Sequence, residues 1–206
     1  MNTLFDLKEV TIALPPLSKR LGMKRRSRVD KAPESDENYT PEKYWRPGLN
    51  MFPQRSSFAL DAASYEGAAV PADRRFTLQN SALTQDWRSD SVTTIDGPVW
   101  LNHPYSLNDD FTDKVLEEWR KGSFRELFMM PKSDNSTNWC QKLIANSTAI
   151  CLINHRVAFR SRKSIETGKK PVGGYFPSSI VYFGYNLPLF HHHYSPLGRI
   201  VIEYRP

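Results

Sequence analysis

The chain predicts an α/β fold: an open, mostly parallel sheet with helices on both faces. Three observations carry this. Short, almost wholly apolar runs recur at 97–101, 126–130, 149–153 and 179–183. Runs of that length and uniformity fit strands buried on both faces. Between them, residues 111–121 and 136–145 place apolar side chains three or four apart, the spacing of helices that cover a sheet.

The elements follow in order. Residues 1–38 differ in composition from the remainder and read as a basic N-terminal arm, ordered in part, ahead of a domain at 39–206. Val10 to Leu14 has strand character, and Pro15-Pro16 ends it. Lys19, Arg20, Lys24, Arg25, Arg26, Arg28 and Lys31 then cluster, with Asp30 as the only acid among them. Two readings stand for this cluster, a solvated segment and a phosphate-contacting arm. Residues 41–49 form a short helix or turn, and 58–61 a short strand ending at Asp61. In 111–121, Phe111, Val115, Leu116 and Trp119 share a face and Gly122 stops the helix. Asp109, Asp110, Asp113, Glu117 and Glu118 lie at its start and along its polar face, where negative charge complements the helix dipole. Residues 198–204 read as a last strand at a sheet edge. His191, His192 and His193 read as a loop between strands. Adjacent histidines diverge and no Cys or carboxylate has suitable spacing, so no metal site is expected.

Composition narrows the function. The 206 residues carry a net charge of +6, with a pI near 9.3, which suits a polyanionic partner. Cys140 and Cys151 have no Cys-x-x-Cys spacing and read as reduced thiols of a cytosolic protein. No apolar run approaches the roughly 18 residues that cross a bilayer, and no signal peptide is evident. No Walker loop, Ser-His-Asp order or zinc-protease helix appears, which removes support for a kinase or hydrolase. There is no internal repeat.

The most informative stretch is Asn102-His103-Pro104-Tyr105, at the tip of the apolar run 97–101. Open α/β sheets place their reactive groups at such strand tips. The exocyclic amino group of a nucleobase is a poor nucleophile because its lone pair is delocalised into the ring. Two acceptors, the Asn102 side-chain oxygen and the His103 carbonyl, can hold its hydrogens and favour a more tetrahedral nitrogen. Tyr105 can stack on the base, and Pro104 fixes φ.

These residues resemble the catalytic Asn-Pro-Pro-Tyr motif of amino-directed DNA methyltransferases, and the surrounding chain resembles the phage-encoded N6-adenine methyltransferases of the Dam type. Tyr39-Thr40-Pro41-Glu42 is similar to the family's early Thr-Pro block. Phe58-Ala59-Leu60-Asp61-Ala62-Ala63-Ser64 is similar to its apolar-Asp-small block. Ser81-Ala82-Leu83-Thr84-Gln85-Asp86-Trp87 resembles the segment before the catalytic strand. Arg156-Val157-Ala158-Phe159 and Phe176 to Phe183 resemble its closing strands. The likeness spans 39–186.

The resemblance implies a Rossmann-like methyltransferase fold and an S-adenosylmethionine-dependent DNA adenine-N6 methyltransferase acting on double-stranded DNA in the bacterial host cytoplasm. It places Asn102, His103, Pro104 and Tyr105 at the base, and Thr40, Pro41, Asp61, Ala62 and Ser81 near the cofactor. For Asp61, the residues alone left a turn-capping role equally open. Lys24, Arg25, Arg26, Arg156, Arg160, Arg162 and Lys163 are the expected DNA contacts, the last four in a Gly-containing basic region suited to strand gripping. The chain departs from the pattern at His103, where the family usually has Pro, and at Ser81, where it usually has Asp. These departures motivate a second reading, a methyltransferase-like protein without catalysis that binds nucleic acid or a host protein. A third keeps the fold and changes the amino-bearing base. The sequence leaves the oligomeric state open.

Overall fold

A computed structural model describes residues 38–65, 67–90, 92–161 and 176–203. The expected strand at 10–14 and the basic residues Lys24, Arg25, Arg26, Arg162 and Lys163 lie outside these.

In chain order the elements are β1 (Asn38–Tyr39), α1 (Glu42–Asn50), β2 (Phe58–Asp61), β3 (Ala72–Arg75), β4 (Val99–Leu101), α2 (Asn108–Arg120), β5 (Leu127–Met129), α3 (Asn138–Asn146), β6 (Ala149–Ile153), β7 (Arg160–Ser161), β8 (Ser179–Phe183), α4 (Leu187–Tyr194) and β9 (Gly198–Val201). Seven strands form one open sheet in the order β3-β2-β4-β5-β8-β6-β9. The pairs from β3 to β5 are parallel. β8 opposes β5, β6 opposes β8, and β9 opposes β6. Five of the seven strands therefore run one way, and the antiparallel contacts arise from β8 and β9.

Alternation along each strand divides the core. Leu60, Val99, Leu101, Leu127, Met129, Ile150, Val181 and Phe183 point to one face, which α2 and α3 cover with Phe111, Val115, Leu116, Trp139 and Leu143. Phe58, Trp100, Phe128, Ala149, Cys151, Ile180 and Tyr182 point to the other, under Tyr44, Trp45 and Leu49 of α1 and Phe190 and Tyr194 of α4. Helices on both faces explain why the central strands are apolar throughout.

The second face is an aromatic stack. Tyr182 and Phe190 lie parallel with centroids 4.6 Å apart, and Phe128 stacks on Tyr182 at 5.3 Å and on Tyr194 at 5.8 Å. α1 reaches this stack through Gly48, where a Cβ would stand 2.7 Å from Tyr194 Oη and 3.1 Å from the Phe128 ring.

Several expectations change. His191, His192 and His193 form the last turn of α4 rather than a loop. Asn186 caps that helix, its side-chain oxygen accepting from Leu189 N at 3.1 Å. Residues 156–159 are irregular, with Val157 buried. Pairing resumes only at β7, which forms a separate two-stranded ladder with β1. Of 176–183, the strand occupies Ser179–Phe183, and the last strand stops at Val201, at the sheet edge as expected. Glu118 leaves the solvated face: it is wholly buried, paired with Lys114 at 2.6 Å and accepting from Ser123 Oγ at 2.5 Å. Cys140 and Cys151 are both unbridged. Among the described residues no helix is long and apolar enough to cross a membrane.

Removing the ring at the centre of the stack should be costly. Phe128→Ala is expected to lose about 3–5 kcal/mol of stability in urea titration. Leu152→Ala, at a site 45% exposed, should stay within about 0.5 kcal/mol of the parent.

Candidate active site

Strand order locates the site. The chain passes from β2 to β3 on one side, then crosses to β4 on the other, so the order reverses between β2 and β4. The crevice outside the carboxyl ends of strands at such a reversal is where open α/β sheets bind ligands. Asp61 ends β2, and Asn102 directly follows β4. Ala62 N donates to Trp100 O at 2.9 Å, which ties the two strand ends together.

Asn102 emerges because the three residues of β4 before it are buried. Its Nδ2 donates to Thr40 Oγ1 at 2.7 Å. That bond sets the amide's rotation and directs Oδ1 away from Thr40. Thr40 lies just after β1, and Pro41, with φ −61° and ψ 145°, leads into α1. Arg160 pairs with Tyr39, one residue from Thr40, across the β1–β7 ladder. Three expected site residues, Thr40, Pro41 and Asn102, thus meet where α1 begins, and the Arg160 backbone lies beside Tyr39 in the β1–β7 ladder.

The His103 ring turns inward. It is 2% exposed, lies 4.9 Å from the Phe111 ring, and its Nε2 is 2.8 Å from Asn108 Oδ1. Burial pushes its pKa down to about 4, against the opposing pull of the Asn108 hydrogen bond, so the ring is neutral. What His103 can offer a substrate is its main chain. Pro104, at φ −56° and ψ 127°, starts the turn Tyr105–Leu107 that leads into α2. The Tyr105 hydroxyl lies 3.0 Å from Ser178 Oγ, and Phe159 meets the Tyr105 ring edge-on at 6.1 Å. Burial raises the Tyr105 pKa to about 12, so the phenol stays protonated.

Asp61 is 3% exposed, and burial raises its pKa to about 6; the Ser64 hydroxyl, the Ala63 N–H and the charge of Arg75 pull the other way. The Ala63 N–H donates to Asp61 Oδ1 at 3.3 Å, so the turn-capping role is present. A carboxylate raised by burial at a switch point is also a ligand-site signature. Ala62 is buried beside it. Ser81 accepts from Leu83 N at 3.3 Å and stabilises its own turn. Arg156 is exposed just beyond β6. Residue reading missed Ser178, Phe159 and Asn108. Phe159 and Ser178 carried a signal, each lying in a block read as a closing strand; Asn108 carried none.

A seven-stranded open sheet flanked by helices, with an Asn-His-Pro-Tyr turn at its switch point, defines a Rossmann-like methyltransferase fold. Residues 28–187 match the model of the family described as DNA N-6-adenine-methyltransferase (Dam), and the chain belongs to that family. Over 96 residues it is 29% identical to a DNA N-6-adenine-methyltransferase of Escherichia phage T1, a match covering 47% of this chain and 37% of that relative. The match therefore spans little more than a third of the relative's length.

The Asp61 shift has a sign that can be checked. Its folded pKa, near 6, lies above the ordinary 3.8, so the folded protein holds the proton more tightly between those values. The resulting penalty is absent below about pH 3.8 and complete above about pH 6. Asp61→Asn should therefore be more stable than the parent at pH 8, by about 1–3 kcal/mol, with the gap closing towards pH 4 in chemical denaturation.

Proposed function

We propose that this chain transfers the methyl group of S-adenosylmethionine to the N6 amino group of adenine in double-stranded DNA. The carrying observation is the Asn102 amide, anchored by Thr40 at the switch point with its oxygen directed away from that anchor. An acceptor fixed in advance is what an amino nucleophile requires, since no reorganisation is then left to the moment of reaction. Family membership supports the reaction class.

The residues present fit the cofactor. Ser64 Oγ is buried beside the desolvated Asp61 carboxylate, near enough to draw its pKa down yet without a hydrogen bond of good geometry to any group. Hydroxyl or ammonium groups of the cofactor would satisfy both, and their binding would favour the ionised carboxylate. S-adenosylmethionine supplies an electrophilic sulfonium methyl when bound. Asp61, Ala62 and Ser64 would hold it, with Thr40, Pro41 and Ser81 in supporting roles. Asn102 Oδ1 and the His103 carbonyl would accept the two amino hydrogens, and Tyr105 would stack on a base taken out of the helix. Neither a metal nor a covalent enzyme intermediate is needed by this chemistry.

The His103 ring is committed to packing beneath α2, so replacing the usual Pro costs the base contact nothing that a side chain would provide. This favours catalysis over the purely binding role. DNA contacts would come from Arg156, Arg160, Arg162 and Lys163, and from Lys24, Arg25 and Arg26 in a basic arm at 1–38. DNA lies in the host cytoplasm, where such a protein would act.

Incorporation of labelled methyl groups into unmethylated duplex DNA tests the reading. Asn102→Ala should fold, bind S-adenosylmethionine as the parent does, and lose kcat by roughly 100- to 1,000-fold, the usual effect of one missing preorganised contact. Thr40→Val, which keeps the volume but removes the acceptor for Nδ2, should fall between. Undiminished transfer by the Asn102 variant would sink the assignment.

A second experiment addresses the arm. Deleting 19–31 removes seven Lys or Arg residues. Affinity for DNA should fall alike for all sequences, and its dependence on salt should flatten, because fewer counterions are released. Cofactor binding should be unaffected. An unchanged salt slope would remove the arm from the DNA interface.

A further inference from the structure

We infer that Asn108 is a positioning residue, locking the Asn102–Tyr105 turn through one side-chain amide that bridges the His103 ring and the Tyr105 carbonyl. This rests on the proposed methyl transfer for its catalytic meaning, and on geometry for the lock itself.

Asn108 Nδ2 donates to Tyr105 O at 2.7 Å. A carbonyl only accepts, so the amide's orientation is settled: its NH2 faces Tyr105 and its oxygen faces His103. That oxygen lies 2.8 Å from His103 Nε2 and must accept from it. The proton of the neutral ring therefore sits on Nε2. His103 Nδ1 is left as a buried lone pair without a hydrogen-bond partner. No other tautomer satisfies this amide.

The bridge closes a small circuit. It starts at His103, passes through the Asn108 amide, reaches the Tyr105 carbonyl and returns along the backbone through Pro104. Leu107 N donates to Pro104 O at 2.9 Å and tightens the same turn. Asn108 is 7% exposed, at the first position of α2, and the Phe111 ring one turn on packs against His103. The directions of the His103 carbonyl and the Tyr105 ring are thus referred to a rigid helix. Where a second proline would stiffen the turn by restricting φ, this chain uses a hydrogen-bonded side-chain lock. Asn108 has no need to touch substrate or cofactor.

The test is a double-mutant cycle with His103→Leu, Asn108→Ala and the pair. Each is measured for kcat, for S-adenosylmethionine affinity by calorimetry, and for amide hydrogen exchange at residues 102, 103, 105 and 106. Nitrogen chemical shifts of the His103 ring give its tautomer in the parent. Asn108→Ala should lower kcat about 10- to 100-fold, the scale of a small misplacement of reacting groups. Cofactor affinity should stay within about twofold, and exchange in the turn should speed up at least about tenfold. The pair should be no worse than the poorer single variant, because both break one circuit. Asn108→Asp retains the acceptor for Nε2–H and should recover part of the loss, which guards against a simple packing defect.

Additive losses, a ring proton on Nδ1, or unchanged exchange in the turn would overturn the assignment. Cofactor affinity falling in step with kcat would overturn it as well. A parent protein with no methyl transfer would count against the proposed reaction, while the tautomer and exchange would still decide the lock.

Discussion

Burial of β4 on both faces is the constraint on which the remaining structure depends. Val99 and Leu101 sit under α2, Trp100 sits under α1 and α4, and none of the three reaches solvent. A strand so enclosed cannot shift by one residue without placing Trp100 among smaller partners and inverting both faces. Its register therefore fixes where the chain first meets polar surroundings, and that residue is Asn102. The parallel neighbours β2 and β5 end at the same edge, so Asp61 and the segment after Met129 arrive there for the same reason.

Dehydration acts on every polar group at that edge, favouring the neutral form of each. The His103 ring is kept neutral and the Tyr105 phenol is kept protonated, while Asp61 stays ionised at neutral pH at some cost. Each is satisfied mainly by neutral partners: Asn108, Ser178, and the Ala63 N–H. The His103 ring and Tyr105 phenol keep their charge through neutrality, which leaves directional hydrogen bonding as their means of recognition, while Asp61 alone of the three titrates close to it. Stability is correspondingly compromised at Asp61, the pattern expected where function overrides packing.

Much of the sheet was legible because its strands are apolar on both faces and its covering helices are not. β4, β5, β6 and β8 stand out as short hydrophobic runs, and the Asn102–Tyr105 turn follows from the end of one of them. What escaped has physical reasons. β3 reads Ala-Asp-Arg-Arg, an edge strand whose pairing comes from β2 rather than from its own composition. β1 and β7 are two residues each and exist only by pairing across more than a hundred positions. α4 carries three histidines and is a helix because Phe190 and Tyr194 have an aromatic face to join. Glu118 looks like a surface acid until Lys114 and Ser123 enclose it. Ser178 and Asn108 become site residues only through contacts that tertiary structure creates.

The bond between Thr40 and Asn102 joins residues 62 positions apart, and Thr40 is carried at the leading end of α1. That helix is attached to the domain by Tyr44, whose hydroxyl donates to His155 Nε2 at 2.9 Å and whose carbonyl accepts from Tyr194 Oη at 3.2 Å. Orientation of the Asn102 amide is consequently only as durable as the docking of α1. Peripheral helices open at lower free energy than a central sheet does. The arrangement at the strand tips can therefore come apart while the sheet beneath it remains folded, so heat should free the Asn102 amide from Thr40 before it melts the sheet.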